Sequence, residues 1–198
     1  MIADSARHAE LKSLFLKTIF LCCTVSGCTS TPQPPIWDDD RVDFRVAGKL
    51  AVRDAERGTS MRFAWEQASE RYQVDVWGPL GQGRTRLTGD PEWMRIARGD
   101  EVLAEGPPSA IMATQLGWQV PVAYLPVWIR GAPLPNEAVA DAQLDGEGRY
   151  VGFTQAGWQV ALSGYQAASN PVSPARIVAV NGARKVTVVV REFVEFHP

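Results

Sequence analysis

The sequence predicts a mainly β protein, a meandering antiparallel sheet curled into a barrel or half-barrel. Three observations predict it. Past residue 43, apolar residues recur mostly with a period of two, the pattern of half-buried strands. Turn signals such as Gly89-Asp90-Pro91, Gly99-Asp100 and Asn181-Gly182 follow one another closely, so neighbouring strands join through short connections. One proline-broken stretch, residues 107–131, interrupts the succession.

Each element can be justified in turn. Lys12 and Lys17 form a positive region ahead of a short apolar run over residues 18–25. That run is too short to span a bilayer, which takes roughly 20 residues. Val25-Ser26-Gly27-Cys28 places small residues directly before a cysteine, which fits a bacterial lipoprotein signal cut ahead of Cys28. Cys28 is then the lipidated first residue of the mature chain, and two or three acyl chains anchor a protein stably. Thr29 in place of an aspartate fits an outer-membrane address. Residues 29–35, polar and proline-rich, suit a flexible tether. The division expected is a signal peptide over 1–27, a lipidated cysteine and tether over 28–43, and one folded domain over 44–198.

The first strand alternates Phe44, Val46, Gly48, Leu50 and Val52 with Arg45, Ala47, Lys49, Ala51 and Arg53. Met61, Phe63 and Trp65 form the inward set of a second strand, and Tyr72, Val74 and Val76 that of a third. Shorter strands are predicted near 83–89, 92–98 and 101–105. After the break they resume at 142–146, 149–155, 157–165, 175–181 and 184–196. Within the break, Pro107-Pro108-Ser109 starts a helix that runs from Ala110 to Leu116 and stops at Gly117. Residues 120–131 are apolar and interrupted by Pro121 and Pro126, which suits a second short helix. Two short helices over a curved sheet make a concave apolar site.

Composition narrows the chemistry. The chain has 198 residues, 45% apolar and 21% charged, with a net charge of −2. A broad basic footprint for nucleic acid is absent. Its two histidines, His8 and His197, sit near the ends, so a histidine triad or a multi-histidine metal site has almost nothing to be built from. Cys22 and Cys23 leave with the signal, and Cys28 alone cannot form an internal disulfide. No enzyme activity, cofactor or metal is expected.

Seven tryptophans are many for this length; they fill a core, line an acyl-sized cavity, or do both. In Trp77-Gly78-Pro79-Leu80-Gly81-Gln82-Gly83, glycines and a proline fix a tight turn with Leu80 at its tip. Leu80 either folds back into the core or stands exposed to a bilayer. The loop lacks the lysine and the glycine order of a phosphate cradle. Asp38-Asp39-Asp40 reads as a solvated run, and Arg84 and Arg86 as side chains facing water. Glu192 and Glu195, three apart on a strand, point to opposite faces.

The motifs together resemble the LolB family of outer-membrane lipoprotein receptors. They are the lipobox at Cys28, the strand at 48–52, Phe63 and Trp65, the loop at 78–81, the segment at 117–133, and residues 155–160. The resemblance runs from about Phe44 to about residue 193. It implies an unclosed antiparallel β-barrel of about eleven strands with a helical lid over an apolar cavity. It also implies a function without ATP, in which mature lipoproteins are taken from the periplasmic carrier LolA and inserted into the inner leaflet of the outer membrane. The partners are then the carrier, the clients' acyl chains and outer-membrane lipid, and the protein is expected to act as a periplasm-facing monomer. Leu80 corresponds to the family's exposed apolar residue, so Pro79, Leu80 and Gly81 become the membrane-insertion loop. Phe63, Trp65, Val76, Leu125, Trp128 and Ile129 are the expected cavity residues. The family usually carries an amphipathic helix before the first strand; the short interval from Trp37 to Gly48, with its acidic run, departs from that. The rival reading is a structural lipoprotein subunit of an outer-membrane assembly complex.

Overall fold

The structure, a computed structural model, describes residues 42–115, 123–166 and 172–196. Cys28, the acidic run at 38–40 and Gly117 lie outside them. Eleven strands and two short helices follow one another. They are β1 (Phe44–Arg53), β2 (Gly58–Ala68), β3 (Arg71–Trp77), β4 (Thr85–Gly89), β5 (Met94–Arg98) and β6 (Glu101–Gly106); α1 (Pro108–Gln115) and α2 (Leu125–Trp128); then β7 (Val139–Leu144), β8 (Tyr150–Gln155), β9 (Trp158–Tyr165), β10 (Pro174–Asn181) and β11 (Arg184–Glu195).

All the strands belong to one sheet in the order β6-β5-β4-β3-β2-β1-β11-β10-β9-β8-β7. The sequence runs as two meanders, and β1 joins them by pairing antiparallel with both β2 and β11. β6 and β7 form the two edges. The sheet is therefore unclosed.

Alternation sets the two faces. On β1, Phe44, Val46, Gly48 and Val52 are buried, and on β11 Val186, Val188 and Val190 join them, while the other residues of these strands are half-buried or exposed. A strand's period of two makes such a face continuous across neighbours. Phe44, Trp65 and Tyr72 extend it as a run of tilted ring contacts with centroids 6.2–6.3 Å apart.

The centre of the sheet carries one irregularity that alternation does not reveal. The β1–β11 register shifts between Ala47 and Gly48, which marks a bulge. There a methyl group on Gly48 would stand 2.0 Å from the Val189 carbonyl oxygen. Only a residue without a side chain permits this approach.

Several boundaries differ from those expected. β2 begins at Gly58, earlier than 61, because its first residues still pair with the end of β1. β4 begins at Thr85 and not at 83, because the preceding residues stay in a loop closed by Gly78 and Gln82. β7 spans Val139–Leu144 in place of 142–146. It ends there because the Asp145 carboxylate accepts the backbone N–H groups of Glu147 and Arg149, capping a turn. β7 is exposed along its whole length, shifts register twice against β8, and holds Asp141 at φ 52°.

Candidate functional site

Two features stand out: a cavity inside the curved sheet, and a loop at one rim of it. The cavity has a volume of about 450 Å³, within the range of small-molecule sites. Its wall combines Phe63, Trp65, Val74, Val76, Leu87 and Ile96 from the strands with Met112, Leu125 and Ile129 from the lid. The inward set of β2 to β5 thus forms one apolar surface, and α1 and α2 cover it.

Of the six residues expected in this wall, Phe63, Trp65, Val76, Leu125 and Ile129 line it. Trp128 does not. It is completely buried against Tyr124 and Phe153, with ring centroids at 5.4 and 6.1 Å. Its indole N–H also requires a partner, and finds one at Oε1 of Gln155, 3.1 Å away. One turn of helix puts Leu125 and Ile129 on the cavity side, and the intervening Trp128 fastens the lid from behind.

Gln155 was not expected to matter. Its Oε1 also accepts the Leu134 N–H at 2.9 Å, and its Nε2 donates to the Leu134 carbonyl at 2.9 Å. Arg130 makes a second attachment, donating to Glu195 at 2.8 Å with its guanidinium 4.5 Å over the Phe44 ring. The lid's second half is thereby tied to β8, β11 and β1. The only signal for Gln155 in the sequence is its place in the 155–160 motif.

One polar group in the wall is anomalous. The Tyr72 hydroxyl is buried without a hydrogen-bond partner. Burial, helped by the nearby Asp90 charge, pushes its pKa up to about 12.

The loop between β3 and β4 holds Leu80 outward. Leu80 is 91% exposed. The Gly78 N–H donates to the Gln82 carbonyl and the Gly81 N–H to that of Gly78, each at 3.0 Å. The Leu80 N–H donates to Oε1 of Gln82, also at 3.0 Å. Gly81 adopts φ +83°, a conformation that suits glycine. These bonds leave Leu80 no route back to the core.

Arg84 and Arg86, both expected to face water, flank a buried carboxylate. Arg86 is mostly buried and donates from Nε and Nη2 to the two oxygens of Asp75, each at 2.9 Å. Hydrogen bonding to Asp75 raises its pKa despite the opposing effect of burial. Arg84 is exposed but reaches Asp75 at 3.5 Å and lies 4.4 Å over the Trp77 ring. Trp77 precedes the loop and Arg84 follows it, so their contact pinches the base. Nothing local announces this, because Asp75 and Arg86 meet only through strand register.

Among the described residues, no group of three or more His, Cys, Asp or Glu could hold a metal ion. No described helix is long and apolar enough to cross a membrane.

Residues 42–193 match the family described as outer membrane lipoprotein LolB. Among curated proteins, the chain is 33% identical over 184 residues to the outer-membrane lipoprotein LolB of Alkalilimnicola ehrlichii, covering 85% of this chain and 90% of that one. It is 32% identical over 202 residues to that of Marinobacter nauticus, covering 90% and 96%. Among solved structures it is similar to a LolA-superfamily protein of Nitrosomonas europaea, with a TM-score of 0.49 and 10% identity over 82% of this chain and 90% of that one.

Proposed function

Because this chain belongs to the LolB family of outer-membrane lipoproteins, we propose that it is the outer-membrane receptor of lipoprotein localisation. It accepts mature lipoproteins from a LolA-type periplasmic carrier and passes them to the inner leaflet. Cys28 is its own lipidated residue, so the folded domain faces the periplasm on a tether, as a monomer. The observation that carries this reading is the conjunction of an apolar cavity with an outward-held leucine on one rim of the same sheet.

The physics of transfer asks for little else. An acyl chain in water costs about 0.8 kcal/mol per exposed methylene, so a client must be passed from one shielded site to another. Phe63, Trp65, Val76, Leu125 and Ile129 shield it here. No covalent step is involved, and no ATP. Direction comes from a cavity with higher affinity than the carrier's, followed by a bilayer that offers the chains a continuous apolar phase. Leu80 acts in that second stage, burying its side chain in the membrane beside the opening.

A transfer assay tests this. The mature chain with Cys28 replaced is mixed with carrier already loaded with a lipoprotein, without ATP, and the client is followed. Movement of the client onto this protein is the expected result. Client that stays on a competent carrier would overturn the receptor reading and favour a structural subunit of an assembly complex.

A further inference from the structure

The rim that carries Leu80 is also a basic rim. Antiparallel register puts the β1–β2 turn, the β3–β4 loop and the β5–β6 turn at the same end of the strands: Arg53 faces Gly58, Arg62 faces Trp77, and Arg98 faces Glu101. Beside Leu80 this end presents the exposed side chains of Arg57, Arg62, Arg84 and Arg98. The next turn around, between β10 and β11, adds Arg184 and Lys185.

Its acids are fewer, and one of them, Asp54, stays ionised beside Arg57 and Arg184. The Asp54 carboxylate accepts the backbone N–H groups of Glu56 and Arg57 at 2.8 and 2.7 Å. Glu56, Asp100 and Glu101 are the other acids of these turns. The far rim has the reverse balance. Its turns carry Glu70, Asp90, Glu92, Asp145 and Glu147, against Arg71 and an Arg149 that is already paired with Asp145 and Glu147. A chain with a net charge of only −2 is thus polarised along its strands.

The cavity reaches the basic end. Thr59, Ser60, Gly78, Gly83 and Arg98 line it there, whereas Met112, Leu125 and Ile129 cover it from the lid. Apolar tip, cations and one end of the cavity converge on one face. A single leucine supplies insertion but no orientation. A ring of arginines around it supplies a field that turns this end toward negative charge, and guanidinium groups bind phosphate oxygens in pairs.

We propose that the Leu80 rim is a docking face for an anionic lipid bilayer, with Arg57, Arg62 and Arg98 contacting lipid phosphates while Leu80 inserts. The proposal rests on the reading of Leu80 as a membrane-directed tip. It adds that the surface recognised is negatively charged, and that this end of the cavity is presented to it.

Vesicle co-sedimentation of the mature chain with Cys28→Ala tests this. One set of vesicles is phosphatidylcholine alone; the other contains about one-third phosphatidylglycerol. The protein should favour the anionic vesicles, and salt should erase the preference. Each arginine near such a surface contributes about fivefold to partitioning, so Arg57→Gln with Arg62→Gln, both outside the cavity lining, should lower anionic binding about 25-fold. Binding to neutral vesicles should be unchanged. Leu80→Glu should weaken binding to both kinds. An anionic preference that survives the double substitution overturns the basic rim, even if Leu80→Glu still weakens binding. If the arginines matter and Leu80→Glu changes nothing, the leucine reading fails and the rim stands. Vesicle binding unchanged in the double variant, with client capture from the carrier lost, would assign the rim to a protein partner and overturn the proposal.

Discussion

Nε1 of Trp128 donates to Oε1 of Gln155 at 3.1 Å, between two side chains that are both completely buried. Because the same amide also satisfies both backbone groups of Leu134, one side chain on β8 holds the lid at two points. Gln155→Leu leaves the buried Trp128 N–H and the half-buried N–H and carbonyl of Leu134 without partners. Unpaired groups cost about 1–3 kcal/mol each and do not add fully, so a loss of about 3 kcal/mol is expected in denaturant unfolding. An apolar fluorescent probe should also exchange from the cavity faster, because the lid is loosened.

Leu80 should behave in the opposite way. With its side chain in water, Leu80→Glu should change stability by no more than about 0.5 kcal/mol. Client uptake should persist while delivery to the bilayer is lost. Lost uptake with intact delivery would contradict the role assigned to the loop.

The base of that loop depends on a buried charge. Asp75 is 7% exposed and pairs with Arg86 through both oxygens. Asp75→Ala strands a largely buried guanidinium and removes a partner of Arg84. Breaking a pair of this kind costs about 3 kcal/mol, to be read from thermal or denaturant midpoints. Membrane delivery should fall as well, even though Leu80 itself is untouched.

Gly48 sets a steric limit. Gly48→Ala puts a methyl group 2.0 Å from the Val189 carbonyl oxygen, so β1 and β11 must separate where they join the two meanders. A loss of about 1–3 kcal/mol is expected. Amide exchange should accelerate first in β1 and β11, and later in β3 to β5.

Tyr72 makes alkaline stability specific. Its pKa is about 12 in the folded protein against 10.0 ordinarily. Between these values the unfolded chain has released a proton that the folded chain keeps. Stability is therefore fully present below pH 10 and declines as pH rises toward 12. Allowing for solvent screening, the decline due to this group is about 1–2 kcal/mol. Tyr72→Phe should flatten that part of the curve relative to the parent, and an unchanged slope would show that burial does not govern this phenol.

The strands and the lid could be read from local pattern; the turn at 78–83 could too, but not the outward direction of Leu80, which only the family resemblance favoured. Alternation marks which side of β1, β2 and β3 faces inward, and the prolines and glycines of 78–83 leave Leu80 little to pack against. Contacts between distant segments have no such signature. Asp75 finds Arg86 eleven residues away through register, and Trp128 finds Gln155 across 27 residues. An aromatic in an apolar lid therefore looked like cavity wall, although its indole N–H had to face a polar partner. The arginines beside Asp75 looked solvated for the same reason, since the strand opposite is invisible in a local window.

The two edges of the sheet bear on how the protein survives at high local concentration. A sheet that never closes on itself exposes the kind of backbone that recruits further strands. Here β7 is interrupted twice and kinked at Asp141, and β6 carries Glu101 and Glu105 outward with an irregularity in its pairing to β5. Neither border is a straight template, so molecules crowded side by side are kept from zippering into fibres. The open sheet is thereby retained without inviting self-assembly.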